Sequence, residues 1–305
     1  MKNDKILNLV LAAALLILII KINRFDFLRT SSATNMKMTL EQTSGTPQQR
    51  ELKTGTHQSW VSLTVAESKR LIAKGLAAYP PVRERLKTGT LVLTKGTTNT
   101  YVAEELINDT LTHGEYVLGY ISPAKSSKKL DKSKSRKELV FVNGEIRDEP
   151  YTDILPQMKE GDIVIKGANF VNHQKGQAAV LIGHPTGGTT GNIYPVVQEK
   201  KLHLIIPVGL EKETSQDIDF IADYRTIEHE DIDRKTPRLW SIKGDLFTEI
   251  EAIKQFADVE AIHYGSGGIG GAEGAVSILL RGSEEEVKKA LAVVESVQGE
   301  PPFLK

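Results

Sequence analysis

A short polar turn joins an apolar strand to a helix near residue 96, and its residue types suit anion binding. The turn lies within LVLTKGTTNTYVAEEL, residues 91–106, and consists of Lys95, Gly96, Thr97, Thr98 and Asn99. The first N–H groups of a helix have no partner within that helix, and they commonly bind phosphate or carboxylate groups. The turn therefore predicts an anion site, with ordinary helix capping as the alternative.

Two further polar segments follow apolar runs and extend this candidate site. In GDIVIKGANFV, Lys166 ends a predicted strand and Asn169 follows it. In GHPTGGTTG, a second possible oxyanion cradle consists of Thr186, Gly187, Gly188 and Thr189. Ligands of open α/β sheets bind at the carboxyl ends of the strands. We therefore expect Lys95 and Lys166 to supply positive charge to one bound anion.

The elements that must position these residues alternate between strands and helices. Short apolar runs of buried-strand type occur in LVL (91–93), YVLGYI (116–121), GDIVIKGANFV, AAVLIGH and LHLIIPVG. A helix is predicted at 192–200, and Thr64 with Glu67 forms a capping box at the start of another. Asn143 and Gly144 predict a hairpin turn. Because strands that alternate with helices build a mainly parallel sheet, we predict a Rossmann-like α/β domain over residues 58–235.

The character of the chain changes after residue 235. The segments LWSIKGDLFTEIEAIKQF, VEAIHYG, GAVSILLRG and SEEEVKKALAVVESV give the order β-α-β-β-α. This order predicts a small ferredoxin-like α+β unit over residues 236–305. The glycine-rich stretch 264–274 is followed by a strand, so we interpret it as a hairpin loop and not as a dinucleotide-binding motif.

Residues 81–210 resemble the superfamily of ribose-5-phosphate isomerase A, glucosamine-6-phosphate isomerase and the CoA transferases. The resemblance rests on LKTGTLVLTKGTTNTYVAEEL and GDIVIKGANFVNHQKGQAAVLIGHPTGG. Members of this superfamily share a Rossmann-like parallel sheet and place a Gly-Thr turn where sugar phosphate binds, and the ribose-5-phosphate isomerase also carries a ferredoxin-like subdomain. The resemblance implies a phosphorylated or carboxylated metabolite as the ligand.

The residues that such isomerases use for catalysis differ in this chain. Lys166 and Asn169 stand where those enzymes carry two aspartates, and neither can act as the carboxylate base that aldose–ketose isomerisation needs. No glutamate lies in a motif that matches the CoA transferases. Candidate bases near the predicted strand ends are Glu104, Glu105, Asp153 and His184. The sequence favours a binding protein without turnover, and an enzyme acting on such a metabolite is the alternative.

Composition excludes several classes of function. Lys+Arg and Asp+Glu both number 39, so no overall charge attracts nucleic acid. The chain contains no cysteine, which excludes disulfides, thiol catalysis and thiolate metal sites. No histidine pair has the spacing of a helical metal site, and we predict neither a metal nor a cofactor. A homo-oligomer is compatible with the sequence.

The N-terminal segment predicts a single-pass membrane anchor at residues 1–29. Its apolar run ILNLVLAAALLILII starts at Ile6, and with flanking lysines a helix over residues 6–22 is long enough to span a bilayer. The more basic flank is C-terminal, which places the main domain in the cytoplasm. The polar, aperiodic residues 30–57 predict a disordered linker. The alternatives are a cleaved signal peptide, or a start at Met36 or Met38.

Overall fold

The computed structural model describes residues 57–123, 125, 130, 134–224 and 237–304. The predicted anchor and nearly all of the predicted linker lie outside these residues. Within the described part of the chain, no helix is long and apolar enough to cross a membrane.

The described chain alternates between strands and helices. The strands are His57–Leu63 (β1), Thr90–Leu93 (β2), Leu139–Val142 (β3), Glu145–Arg147 (β4), Ile163–Ile165 (β5), Phe170–Asn172 (β6), Gln177–Ile182 (β7), His203–Pro207 (β8), Arg238–Ile242 (β9), Asp245–Phe247 (β10), Glu260–Ser266 (β11) and Val276–Gly282 (β12). The α-helices are Val65–Ala78 (α1), Pro80–Lys87 (α2), Thr97–Ile107 (α3), Tyr151–Ile154 (α4), Gly188–Lys200 (α5), Ile218–Tyr224 (α6), Glu249–Ile253 (α7) and Glu284–Glu295 (α8). Short 3-10 helices lie at Leu155–Gln157 and Leu210–Lys212.

A six-stranded mixed sheet with the order β10-β8-β5-β2-β3-β4 forms the centre of the fold. Strands β10, β8, β5 and β2 pair in parallel, and β3 with β4 adds an antiparallel hairpin at one edge. This arrangement confirms a mixed α/β fold with a mostly parallel sheet. The turn between β3 and β4 is the predicted one, with Asn143 at φ 49° and Gly144 at φ 89°.

Two helices that the sequence predicted, one from a capping box and one at residues 192–200, are confirmed. At the start of α1, Thr64 N donates to Glu67 Oε2 at 2.8 Å and Glu67 N donates to Thr64 Oγ1 at 3.4 Å, which completes the capping box. The helix predicted at 192–200 is also present as α5 and begins four residues earlier, at Gly188.

The strand predicted at 116–121 does not form. Both edges of β2, the strand that precedes this segment, are paired with other strands, one with β3 and the other with β5. Instead, the buried Tyr116 hydroxyl donates to Leu93 O and accepts a hydrogen bond from Leu139 N, so this side chain lies between β2 and β3.

The strands of the C-terminal segment pair in three different sheets. Strand β9 pairs with β7 in the sheet β6-β7-β9, β10 joins the central sheet, and β11 with β12 pairs with the N-terminal strand β1. Two strands instead of the predicted one precede α7, so the observed order is β-β-α-β-β-α, and residues 236–305 do not form the separate sheet expected of a ferredoxin-like unit. Strand order along a chain does not specify which strands pair.

Two hydrophobic clusters lie on opposite faces of the central sheet. Leu91 and Leu93 of β2 belong to a cluster that also contains residues of α1, α3, α7, α8 and the β1-β12-β11 sheet. Val92 between them belongs to a second cluster with residues of α5 and of the β6-β7-β9 sheet. Successive side chains of a strand point to opposite faces, so α3 covers one face and α5 covers the other.

Candidate functional site

The carboxyl ends of the parallel strands lie along one edge of the central sheet. The segments that follow them are 94–99 after β2, 166–169 after β5, 208–213 after β8, and 248–249 after β10. Backbone hydrogen bonds continue past the strand ends, since Thr94 N donates to Ile165 O and Lys166 N donates to Ile205 O, each at 3.0 Å. This is the edge where open α/β sheets bind their ligands.

The first turn of α3 presents three backbone N–H groups that have no acceptor among the described residues. These donors belong to Thr97, Thr98 and Asn99, whereas Thr100 N donates to Gly96 O at 2.9 Å as the first bond of the helix. No side chain caps the helix at Gly96. Because the N-terminus of a helix also carries partial positive charge, unpaired donors at this position favour a bound anion.

The side chain of Asn99 ties this turn to the ends of two strands. It is completely buried, and its Nδ2 donates to Thr94 O at 2.8 Å. Its Oδ1 is buried without a donor, and a Cβ placed on Gly167 would lie 3.9 Å from it. The start of α3 is therefore held against the end of β5, and one polar atom there remains unsatisfied. Such atoms are rare in buried positions.

Lys166 directly follows β5 and lies beside Thr94, the residue that follows the neighbouring strand β2. Burial lowers the pKa of its ammonium group to about 8, and the nearby carboxylate of Glu138 opposes this shift only in part. Among the described residues, its ammonium has no hydrogen-bond or ion-pair partner. Lys95 differs, because its Nζ donates to Ser135 Oγ at 3.1 Å in an exposed contact. Of the two predicted lysines, Lys166 is therefore the buried one, and among the described residues its ammonium has no partner.

A ligand that contacts both α3 and Lys166 must lie across the end of the sheet. Ile165 belongs to the cluster on the α3 face and Val164 to the opposite cluster, so strand alternation assigns Lys166 to the face opposite α3. The backbone of Gly167 lies between the two groups. A small anion seated over the ends of β2 and β5 is the arrangement that reaches both.

The remaining predicted ligand residues have other partners. Asn169 Oδ1 accepts a hydrogen bond from Leu181 N at 2.9 Å, which holds the segment between β5 and β6 against β7. Thr186 donates from both its backbone N and its hydroxyl toward His184 Nδ1, at 3.3 and 3.0 Å. A Cβ on Gly187 would lie 2.6 Å from the Trp240 ring, so this glycine is explained by packing.

The second predicted cradle, residues 186–189, begins α5, and α5 packs on the face opposite α3. Among the described residues, no hydrogen bond joins residues 186–189 to the turn at 95–99 or to Lys166. The structure therefore places the turn at 95–99 and Lys166 at adjacent strand ends, whereas the glycine-rich segment begins the helix that covers the sheet face opposite α3.

The predicted candidate bases do not lie free at the strand ends. Arg70 binds Glu104 at 2.6 Å and Glu105 at 3.0 Å, so both carboxylates are engaged in ion pairs. Asp153 is exposed on the short helix α4, and His184 is the exposed acceptor of the Thr186 bonds.

Two carboxyl groups that the sequence analysis did not single out lie near the ends of β8 and β10. Glu249 is completely buried, and both of its carboxyl oxygens accept from Leu210 N, at 3.0 and 3.2 Å. Burial, followed by the charge of Glu211, raises the pKa of Glu249 well above its ordinary value. Glu211 Oε2 is itself buried without a hydrogen-bond partner. Lys212 Nζ lies 3.9 Å from Glu211 and donates to Ala168 O at 3.2 Å.

Lys69 of α1 adds a buried amine to this group. Burial, together with the charge of Lys212, lowers its pKa to about 8, against the opposing effect of Glu211 and Glu249. We call Lys69, Glu211, Lys212 and Glu249 the buried charge cluster. Its sequence signal was weak, because Lys69 looks like an exposed position of an amphipathic helix and Glu249 looks like an ordinary first-turn residue.

No group of three or more histidine, aspartate or glutamate side chains that could hold a metal ion occurs among the described residues. Comparison of the whole chain with protein-family models and with curated proteins finds no match.

Proposed function

We propose that this protein binds a small anionic metabolite, phosphorylated or carboxylated, across the ends of β2 and β5. The observation that carries the proposal is a set of three N–H groups at the start of α3, close to the Lys166 ammonium, with no partner for any of these groups among the described residues. The anion accepts hydrogen bonds from the start of α3 and pairs with the Lys166 ammonium. The resemblance of residues 81–210 to sugar-phosphate isomerases and CoA transferases supports the same class of ligand and a Rossmann-like assignment of the sheet.

Titration calorimetry with sulfate tests the site, because sulfate has the charge and shape of a phosphate group. A charge-assisted hydrogen bond contributes about 1.5–3 kcal/mol, so Lys166→Ala should weaken binding by roughly tenfold to a hundredfold. Thr98→Ala should weaken it less, since the backbone donors remain. The matched control is Lys87→Ala, which removes an exposed lysine at the end of α2.

The dependence of sulfate affinity on pH gives a second measurement. Sulfate itself does not titrate near neutral pH, whereas the Lys166 ammonium loses its proton around its lowered pKa of about 8. Affinity should therefore fall as the pH rises through this value, and Lys166→Arg should move the loss to higher pH. Binding that is unchanged in Lys166→Ala would place the anion elsewhere.

Turnover of the same metabolite is a second candidate function, and the buried charge cluster favours it. A carboxyl group with a raised pKa beside an amine with a lowered pKa is the usual arrangement for moving protons near neutral pH. If this candidate is correct, sugar phosphates incubated with the protein in deuterated water should exchange the proton next to their carbonyl group, as followed by NMR. Glu249→Gln should abolish the exchange and leave sulfate binding intact, whereas binding without any exchange supports the first candidate.

We also propose that residues 6–22 anchor the protein in a membrane with the folded domain in the cytoplasm. The apolar run and the basic flank after it support this proposal. Membrane fractionation of the full chain, followed by protease treatment of closed vesicles, tests both parts. Recovery in the soluble fraction with Met36 or Met38 as the first residue would contradict it.

A further inference from the structure

A serine, a histidine and a glutamate form a hydrogen-bonded series on β11 and the loop after β8. His263 Nε2 lies 2.9 Å from Ser266 Oγ, and His263 Nδ1 lies 2.6 Å from Glu213 Oε2. The three side chains are separate from the anion site described above, because none of them follows β2 or β5. Both distances are within the range for hydrogen bonds that activate a nucleophile.

A bulge in β11 produces this contact. Residues three apart in a regular strand point to opposite faces of a sheet. The pairing of β11 with β12 shifts register between His263 and Gly265, which inserts Tyr264 as an extra residue. The shift brings Ser266 to the same face as His263. Bulges commonly re-aim a side chain in this way and are frequent beside active sites.

The two hydrogen bonds define the protonation of the imidazole. A glutamate carboxylate only accepts hydrogen bonds, so Nδ1 of His263 carries the proton and donates to Glu213. When the ring is neutral, Nε2 carries no proton and accepts the hydrogen bond from the Ser266 hydroxyl. This is the tautomer that a general base needs in order to remove the hydroxyl proton.

Among the described histidines, only His263 has both partners. His173 and His203 each contact a carboxylate, Glu251 and Asp245 respectively, but neither ring contacts a hydroxyl group. A histidine that merely stabilises a surface needs one such contact. The combination of nucleophile, base and orienting carboxylate is therefore specific to this place on the described surface.

The surroundings of Ser266 are open and partly apolar. A Cβ placed on either neighbour, Gly265 or Gly267, would meet no atom within 4 Å. The side chains of Tyr264 and Ile269 are 70% and 89% exposed on the same hairpin. The backbone N–H groups of Gly268 and Ile269, two and three residues after the serine, have no acceptor among the described residues.

We propose that Ser266 is the nucleophile of a second site that transfers acyl groups from small esters with an apolar acyl chain to water. Ser266 Oγ forms a bond to the acyl carbon while His263 Nε2 takes the hydroxyl proton. The bond from the acyl carbon to the alcohol oxygen then breaks, and the alcohol leaves with that proton. Water attacks the resulting acyl-serine, His263 takes its proton and returns it to Ser266 Oγ, and the carboxylic acid is released.

Labelling with an alkyl fluorophosphonate tests this proposal on the full chain. Ser266 Oγ displaces fluoride from the reagent and forms a stable adduct that peptide mass spectrometry locates. We expect the adduct on the peptide that contains Ser266 and its absence in Ser266→Ala. Ser59→Ala, which removes a serine of β1 in the same sheet, is the matched control and should label at the wild-type rate.

The rate of labelling tests the role of the histidine and the carboxylate. General-base catalysis contributes roughly a hundredfold or more, so His263→Asn should label at least about a hundredfold more slowly. Glu213→Gln keeps the size of its side chain and should label about tenfold more slowly, since the imidazole loses its orienting charge. Thermal unfolding confirms that each variant is folded. No adduct on wild-type Ser266, or an adduct that forms equally fast in both variants, would overturn the proposal.

Discussion

At the scale of single residues, Glu249 couples folding to protonation. The raised pKa of this buried carboxyl group comes first from burial and then from Glu211. A glutamate in an unfolded chain titrates near about 4.3, so above that pH the folded protein holds a proton that the unfolded chain has released. The free energy of unfolding therefore loses this contribution as the pH rises toward the folded pKa. Ionisation of the buried Glu249 therefore destabilises the folded protein, and groups with such perturbed pKa values are common at functional sites.

We expect Glu249→Gln to reduce the loss of stability between about pH 5 and about pH 8, by at most ~1.4 kcal/mol per pH unit. Glutamine has the same size as the protonated glutamate, can accept from Leu210 N, and does not ionise. Urea unfolding at several pH values measures the difference between variant and wild type. The exposed Glu284→Gln is the control. If both variants follow the wild-type curve, the Glu249 carboxyl group is not the source of the dependence.

At the scale of elements, two glycines that precede helices have different physical reasons. Gly96 before α3 has an extended backbone, φ 170°, and a Cβ there would lie 3.8 Å from the nearest side-chain atom, on Asn99. Gly187 before α5 has φ 89°, and its Cβ would lie 2.6 Å from Trp240 and 2.9 Å from Gly191. The first position tolerates a side chain and the second does not.

Gly96→Ala should therefore leave the melting temperature within about 1 °C of wild type, whereas Gly187→Ala should lower it. A strained backbone costs about 1–3 kcal/mol, and each kcal/mol shifts the midpoint of a domain of this size by roughly 2–4 °C. Thermal unfolding followed by circular dichroism measures both variants side by side. An equal loss in the two variants would show that the start of α3 requires glycine for its conformation.

The elements that the sequence predicts well are those that neighbouring residues determine. The capping box at Thr64 and the Asn143-Gly144 turn were predictable, because a few neighbouring residues determine each of them. The strand expected at 116–121 did not form, because an apolar run becomes a strand only where an edge is open to pair with it, and such pairing depends on distant segments. Lys166 was predictable as a strand-end residue. Lys69 and Glu249 were not, because only packing between helices and strand ends removes them from water.

At the scale of the whole molecule, strands that lie far apart in the sequence pair with each other in every sheet of the described fold. The first described strand, β1, pairs along its full length with β12, from His57 opposite Gly282 to Leu63 opposite Val276. Strand β9 pairs with β7, and β10 pairs in parallel with β8. The sequence predicted a domain boundary near residue 235. Each of the three sheets, however, contains a strand from each side of that boundary.

This topology predicts that residues 57–235 do not fold by themselves. Without the segment after 235, β1 has no partner, β7 loses β9, and the buried side chains that pack between α1 and α7 lose one layer of their core. Urea unfolding of the chain 57–305 should be one cooperative transition, since each of its three sheets pairs strands from both sides of residue 235. The shorter chain should show no cooperative transition, and its amide protons should exchange rapidly with solvent. A steep transition for 57–235, with a urea dependence in proportion to its length, would instead make the segment after 235 a separate domain.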